Sequence, residues 1–226
     1  MGSISNEVKT QVLTQALPYI QRYTGKVIVV NYGGSADGKR ENIDALMSDL
    51  VLLDTINVKV VLVHEECGDV AGMLELSAAI NKAGGKALAL CGADKETVEG
   101  ALGLGYIPVV AAIDYDNGKA LKGSADNTAA RIAGELKAEN MIAITNVRGV
   151  LKDPSDDSTL ISELSISDVP YLTKQGVITG GMTEKVASCV EAIRRGVKKA
   201  FIIDGNIAHA ILIELFSDEG IGTMII

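Results

Sequence analysis

The sequence predicts a three-layer α/β/α sandwich built on a mainly parallel open sheet. Short β-branched runs alternate with helical patterns along almost the whole chain, which is typical of right-handed crossovers between parallel strands. Hydrophobic residues make up 47% of the chain and tryptophan is absent, as suits an aliphatic sheet buried on both faces. The length of 226 residues suits one large domain, and no linker or repeat interrupts it, so we expect a single α/β domain over residues 1–226.

The individual elements follow from local periodicity. The predicted strands are 26–31, 59–64, 86–91, 106–113, 141–146 and 199–204. The predicted helices are 6–23, 39–57, 70–83, 97–104, 125–137, 166–175, 182–195 and 208–215. The Asn117-Gly118 pair predicts a small antiparallel hairpin over 114–123, and the polar stretch 152–159 predicts a surface loop.

Composition excludes several classes of function. A net charge of −8 argues against nucleic-acid and anionic-membrane partners, because either would be repelled. The three cysteines show no CxxC spacing, so they predict a reducing compartment and no metal site, with Cys91 and Cys189 as core thiols. The start of the chain resembles a cloning leader and not a secretory signal, so we expect a cytoplasmic protein.

Turns at the carboxyl ends of the strands are where a doubly wound sheet binds ligands. After the first strand, Gly33 and Gly34 let backbone N–H groups approach an anion, although paired glycines are also common in ordinary turns. After the second strand, Glu65 and Glu66 suit Mg²⁺ binding or acid–base chemistry, or are two solvated charges. His64 beside them is a metal ligand or, more simply, a strand-end residue.

Two later turns also carry candidate site residues. Asp126 opens a helix, either as a first-turn charge favoured by the helix dipole or as a carboxylate that organises catalytic groups. Gly180 and Gly181 precede the next long helix and free its backbone donors. Lys185 lies one turn further on, where it reaches a bound phosphate or remains an ordinary surface lysine.

Several longer stretches of sequence carry a resemblance to a known family. They are ALPYIQRY at 16–23, SDLVLL at 48–53, GYIPVV at 105–110, RGVLKDPSD at 148–156, LISEL at 160–164, ITGGM at 178–182 and HAILIELFSDEGIGTMI at 209–225. Together they resemble the amino-acid kinase family, and within it the acetylglutamate kinases. The resemblance implies an ATP-dependent carboxylate kinase that uses Mg²⁺ held mainly by the nucleotide phosphates. It also implies an acceptor-side half, 1–122, and a nucleotide-side half, 123–226.

The resemblance assigns roles to individual residues. Asp126 matches the family's catalytic-site organiser, and Lys185 matches the lysine that bridges the ATP phosphates. The positions that match nucleotide-binding residues are Gly33, Gly34, Thr145, Val147, Gly149, Val150, Gly180, Gly181 and Met182. No protein residue is assigned to a metal.

The chain also departs from the family in three places. Asn31 stands where the family has a lysine that stabilises the transferring phosphoryl group, and such a group is worth on the order of 10² to 10³ in rate. Glu65 and Glu66 replace glycines, so two anionic side chains stand near the expected phosphate. Several dozen residues are missing between Cys67 and Gly105, including the stretch that receives acetylglutamate.

These departures favour one hypothesis and leave two alternatives. The leading hypothesis is an engineered or degenerate acetylglutamate-kinase-like scaffold that binds ATP but lacks efficient phosphoryl transfer to N-acetylglutamate. The first alternative is an active small ATP-dependent kinase with a different acceptor, which uses Asp126 and Lys185 and holds a second Mg²⁺ through Glu65 or Glu66. The second is a non-enzymatic assembly module that forms a homodimer through the open sheet or through the apolar helix 12–23, which otherwise packs on its own sheet.

Overall fold

The computed structural model describes residues 5–33, 40–64, 70–116, 119–122 and 124–226. The helices in these ranges are α1 (Asn6–Tyr23), α2 (Arg40–Thr55), α3 (Val70–Lys82), α4 (Lys95–Gly103), α5 (Ala125–Glu135), α6 (Val169–Lys174), α7 (Gly181–Arg194) and α8 (Ala210–Phe216). The strands are β1 (Val27–Tyr32), β2 (Lys59–His64), β3 (Ala87–Cys91), β4 (Ile107–Ala111), β5 (Ile113–Asp116), β6 (Lys119–Lys122), β7 (Asn140–Thr145), β8 (Glu163–Leu164), β9 (Lys199–Asp204) and β10 (Thr223–Ile225). Each predicted helix and strand is present, which confirms the alternating pattern.

Within the described ranges, the main sheet has eight strands in the order β3-β4-β2-β1-β7-β9-β10-β8. Its neighbouring strands are parallel except for β9 and β10, which are antiparallel. Strands β5 and β6 form a separate antiparallel hairpin, as predicted, and the Asn117-Gly118 turn between them lies outside the described residues. The mainly parallel open sheet is therefore confirmed.

Helices cover both faces of this sheet, and two hydrophobic clusters fill the space between the layers. The first cluster joins α4, α5 and α7 to one face, and the second joins α2, α3 and α8 to the other. Strand β1 contributes to both, because Val29 belongs to the first cluster while Ile28 and Val30 belong to the second. This arrangement confirms the α/β/α sandwich.

The exposure of Cys91 differs from the prediction that Cys91 and Cys189 are both core thiols. Cys189 is buried, as predicted, but Cys91 is exposed. Cys91 ends β3, which lies at the edge of the sheet and pairs with β4 alone, so its side chain is not enclosed.

Within the described ranges, no helix is both long and apolar enough to cross a bilayer.

The sheet topology indicates where a ligand should bind. Strand β1 pairs with β2 on one side and with β7 on the other. The chain builds β2, β3 and β4 on the first side and then passes through α5 to reach β7 on the second. Ligands of doubly wound sheets bind at such a reversal, beyond the carboxyl ends of the strands. Here that position lies beyond the ends of β1 and β7, next to Asn31 and Thr145.

Candidate active site

Three buried polar side chains meet at this position and form what we call the Asn31–Asp126–Lys185 cluster. Lys185 Nζ lies 3.6 Å from Asp126 Oδ1, and Asn31 Nδ2 donates a hydrogen bond to the same oxygen over 2.6 Å. Asn31 is 0% exposed, Asp126 6% and Lys185 8%. The interpretation of Lys185 as an ordinary surface lysine is therefore wrong, because its ammonium group is enclosed beside a carboxylate.

Local structure explains how Asp126 and Lys185 come together. Ser124 caps α5 by accepting a hydrogen bond from the Asn127 N–H, which leaves Asp126 in the first turn, where the helix dipole favours a negative charge. Helices α5 and α7 lie side by side on the same face of the sheet. Their close approach depends on Gly134, since a Cβ at this position would collide with the side chain of Arg195.

The N-terminus of α7 is open. Gly180 precedes the helix with φ 55° and ψ −137°, and no side chain of the described residues caps the first turn. A Cβ added to Gly180 or Gly181 would meet no atom within 4 Å. The N–H groups of Met182 and Thr183 donate to the carbonyls of Thr179 and Gly180, so a phosphate at this helix N-terminus would be held by the glycine N–H groups and the helix dipole. Met182 follows and packs partly against the first hydrophobic cluster.

The other predicted nucleotide-side residues divide into two groups. Thr145 is buried at the end of β7, while Val147 is 38% exposed in the loop that follows. Gly149 and Val150 lie against β10 instead: the Val150 N–H donates to Thr223 Oγ1 over 2.9 Å. A Cβ on Gly149 would come within 2.5 Å of the same oxygen, which explains why glycine is required there. The Val150 amide is thus engaged within the protein.

The acceptor side is described only in part. Gly33 is buried directly after β1, whereas Gly34 and the loop 65–67 lie outside the described residues. Tyr32 and His64 are register partners at the ends of β1 and β2, and their rings stack with centroids 6.3 Å apart. Burial raises the pKa of the Tyr32 hydroxyl. Within the described ranges, no group of three or more His, Cys, Asp or Glu residues is placed to hold a metal.

One contact in the site was not predicted from the sequence. The sequence marks Asn31 as a departure from a family pattern but does not predict its hydrogen bond to Asp126. The available signal is a single polar residue within the apolar run VIVVNY of β1. A buried polar side chain requires a hydrogen-bonding partner, so that position indicated a contact but not which residue supplies it.

Known protein sequences are similar to this chain over most of its length. The model of the amino acid kinase family matches residues 73–204, more than half of the chain. An acetylglutamate kinase from Brachyspira hyodysenteriae is 39% identical over 284 positions, which cover 99% of this chain and 99% of that relative. Because this chain has 226 residues, at least 58 of those positions have no counterpart in it. That these positions fall between Cys67 and Gly105 stays a prediction.

Solved structures share the fold at lower identity. The N-acetylglutamate synthase from Neisseria gonorrhoeae, in complex with coenzyme A and N-acetyl-glutamate, has a TM-score of 0.82 at 20% identity. The match covers 96% of this chain and 63% of the synthase, so this chain spans just under two thirds of that protein. The carbamate kinase from Giardia lamblia bound to AMP-PNP has a TM-score of 0.69 at 15% identity, covering 89% and 98% of the two chains. Sequence identity to acetylglutamate kinase over nearly the full length, together with the family match, shows that the chain belongs to the amino acid kinase family.

Proposed function

We propose that this protein is an engineered or degenerate acetylglutamate-kinase-like phosphotransferase. It binds ATP as the Mg²⁺ complex but transfers the phosphoryl group to N-acetylglutamate inefficiently. The single observation that carries the proposal is the Asn31–Asp126–Lys185 cluster, in which an ion pair is retained beside an amide. Family membership supports ATP use, as does the AMP-PNP bound to the carbamate kinase of the same fold.

Nucleotide binding is supported at the N-terminus of α7. The open turn at Gly180 and Gly181 offers backbone donors to the phosphates, and Lys185 lies in the same helix, one turn further on. Bound Mg·ATP supplies the phosphoryl group and a cation that offsets its charge. In this proposal Lys185 contributes the positive charge of the protein, and Asp126 holds the lysine in place.

Inefficient transfer is supported by the charge of the cluster. Phosphoryl transfer depends on positioning and on positive charge near the migrating group. The three side chains together carry no net charge, because the Lys185 ammonium offsets the Asp126 carboxylate and Asn31 is neutral. Replacing one stabilising cation by an amide is expected to lower the rate of transfer to a carboxylate by about 10²- to 10³-fold.

Calorimetric titration with Mg·ATP tests nucleotide binding without assuming an acceptor. We expect a dissociation constant in the micromolar to low millimolar range for the unaltered protein. Lys185→Gln should weaken binding by about 10-fold or more, because it removes the charge while keeping a hydrogen-bond donor near Asp126. Circular dichroism of the variant checks that the fold is retained.

Lys198→Ala is the matched control. Lys198 lies on the surface beside Glu139, with 65% of its side chain exposed, and should leave the affinity for Mg·ATP unchanged. The absence of heat and of thermal stabilisation in the unaltered protein would contradict nucleotide binding. An equal effect of Lys198→Ala and Lys185→Gln would contradict the assignment of Lys185.

We also propose that the chain forms a homodimer through α1. The side chains of Val8, Val12, Leu13 and Leu17 are 46% to 68% exposed, and Tyr23 is the residue of this helix that is buried. Most of the stability of a helix in a protein comes from packing of its apolar face, and an exposed apolar face marks a site of interaction. The C-terminal turn of α1 packs against Phe216 of α8, which leaves the earlier turns to a partner.

Light scattering after size-exclusion chromatography tests this assembly. We expect a dimer for the unaltered protein and a monomer for the double variant Leu13→Asp, Leu17→Asp. Gln11→Asp, an exposed polar position in the same helix, is the control and should stay dimeric. A monomeric unaltered protein at high concentration would rule out the dimer.

A further inference from the structure

The carbonyl oxygen of the Asn31 side chain is the feature of the site that the proposed function leaves unexplained. The amide nitrogen donates to Asp126, but Asn31 Oδ1 has no hydrogen-bond partner in the part of the chain that the structure describes. Asn31 is 0% exposed, so its polar atoms depend on partners inside the protein or on a molecule bound in a site that opens onto the cluster. A buried acceptor without a donor is costly, and such groups in a ligand site call for an explanation.

Rotating the amide does not remove the difficulty. If the nitrogen and oxygen exchanged places, the carbonyl oxygen would face the Asp126 carboxylate at hydrogen-bond distance, and two acceptors would repel each other. The carboxylate therefore determines which end of the amide faces away from it. The oxygen is the atom left for another partner.

The flanking strands do not supply that partner. In the register of the sheet, Asn31 lies between Val63 of β2 and Ala143 of β7. Both belong to the same hydrophobic cluster as Val29, so they share the face on which Asn31 meets Asp126, and neither side chain carries a donor. No donor of the described residues reaches this oxygen, which leaves it available to a molecule bound beyond the strand ends.

We propose that Asn31 determines the acceptor of the phosphoryl group: its Oδ1 accepts a hydrogen bond from an uncharged alcohol, which is used in preference to a carboxylate. This inference rests on the proposed binding of Mg·ATP. A carboxylate nucleophile has no proton to donate to Oδ1, and it would bring a second negative charge next to Asp126. An alcohol satisfies the buried oxygen and adds no charge.

The chemistry balances without any further reactant. The alcohol oxygen forms a bond to the γ-phosphorus of ATP while the bond from that phosphorus to the β–γ bridging oxygen breaks, which releases ADP. The hydroxyl proton passes to an oxygen of the migrating phosphoryl group and from there to water. Asn31 orients the hydroxyl through its proton and takes no part in bond making.

A matched pair of acceptors tests the inference. The two probes are N-acetylglutamate and the alcohol obtained by reducing its side-chain carboxylate, each supplied with Mg·ATP. Product formation is followed by phosphorus NMR, which separates a phosphorylated acceptor from inorganic phosphate. We expect kcat/KM for the alcohol to exceed that for the carboxylate by at least about 10-fold, as befits a site that hydrogen-bonds a hydroxyl.

Asn31→Lys supplies the decisive variant, because lysine removes the acceptor atom and adds a cation. The preference should then reverse in favour of the carboxylate, an inversion that simple loss of stability does not produce. Asn127→Lys adds the same charge on the exposed side of α5 and should keep the preference of the unaltered protein. Thermal unfolding of both variants verifies that they are folded.

The possible outcomes separate this inference from the proposed function. Failure to bind Mg·ATP in the calorimetric titration would overturn both. Binding of Mg·ATP with equal use of the two acceptors, with a preference for the carboxylate, or with inorganic phosphate as the sole product would overturn the role of Asn31 alone. An unchanged preference in Asn31→Lys would do the same.

Discussion

The Asn31 amide and the Asp126 carboxylate are 95 residues apart in sequence, yet Nδ2 donates to Oδ1 over 2.6 Å in the interior of the protein. The same oxygen lies 3.6 Å from Lys185 Nζ. One carboxylate oxygen thus faces two donors from two different elements, a central strand and the helix beside α5. Because both groups contact the same buried oxygen, a substitution at Asp126 should change both the stability of the fold and the geometry of the candidate site.

Removing the shared carboxylate should destabilise the protein. Asp126→Ala leaves two buried groups without one of their partners, so the free energy of unfolding should fall by about 3 kcal/mol in urea denaturation. Glu135→Ala is the control, because it breaks a partly exposed pair with Arg131 and should cost less than about 0.5 kcal/mol. Equal effects of the two substitutions would contradict the importance of the buried contact.

Gly149 is expected to resist substitution for reasons of space and backbone conformation. Its φ is +148°, and an added Cβ would lie 2.5 Å from Thr223 Oγ1. Gly149→Ala should therefore lower the free energy of unfolding by about 2–4 kcal/mol. Gly100→Ala lies inside α4 with no atom within 4 Å and should raise it by about 0.5–1 kcal/mol. A tolerated alanine at Gly149 would show that the loop moves freely away from β10.

The pair formed by His209 and Asp49 should give the protein a pH-dependent stability. His209 Nδ1 lies 2.6 Å from Asp49 Oδ1, and Asp49 is 0% exposed. Burial raises the pKa of Asp49 above its ordinary value of 3.8, and the hydrogen bond from His209 offsets part of that rise. His209→Ala should therefore raise this pKa further and reduce the free energy of unfolding by about 1–2 kcal/mol at neutral pH.

The sign of the pH dependence follows from the raised pKa. The contribution of Asp49 to stability is fully present below its unfolded pKa and is lost as the pH rises through the higher folded value. The deficit of His209→Ala should thus be largest above the folded pKa and should shrink as acid protonates the carboxyl. Asn42→Ala breaks a contact with the Asn206 carbonyl that does not titrate, so its deficit should stay constant with pH. A constant deficit for His209→Ala would refute the linkage.

The two cysteines of the described part should differ in reactivity. Burial raises the pKa of the Cys189 thiol to about 12, whereas Cys91 is exposed at the sheet edge. Because the thiolate is the nucleophile, iodoacetamide at about pH 8 should modify Cys91 in the native protein and Cys189 after unfolding in urea. Peptide mass spectrometry measures both sites. Modification of Cys189 before unfolding would indicate that the core opens.

The sequence correctly predicted the helices and strands that are long enough to show a repeating pattern of apolar residues. The alternation of apolar runs and amphipathic stretches predicted α1–α8 and the central strands, because burial on both faces requires continuous apolar residues. Strands β8 and β10 were not predicted, since two and three residues are too few to show a pattern. Strand β10 forms because it pairs with β9 on one side and β8 on the other.

For the candidate site, the sequence by itself determined which residue types stand at the strand and helix ends, including Asn31, Asp126 and Lys185. Those identities depend on local spacing and on resemblance, which a linear sequence contains. The tertiary structure alone decided that Lys185 is buried beside Asp126 and that Asn31 donates to the same oxygen. The physical reason is that these contacts require α5 and α7 to pack side by side on one face of the main sheet, and packing between distant segments follows from the whole core and not from any local pattern.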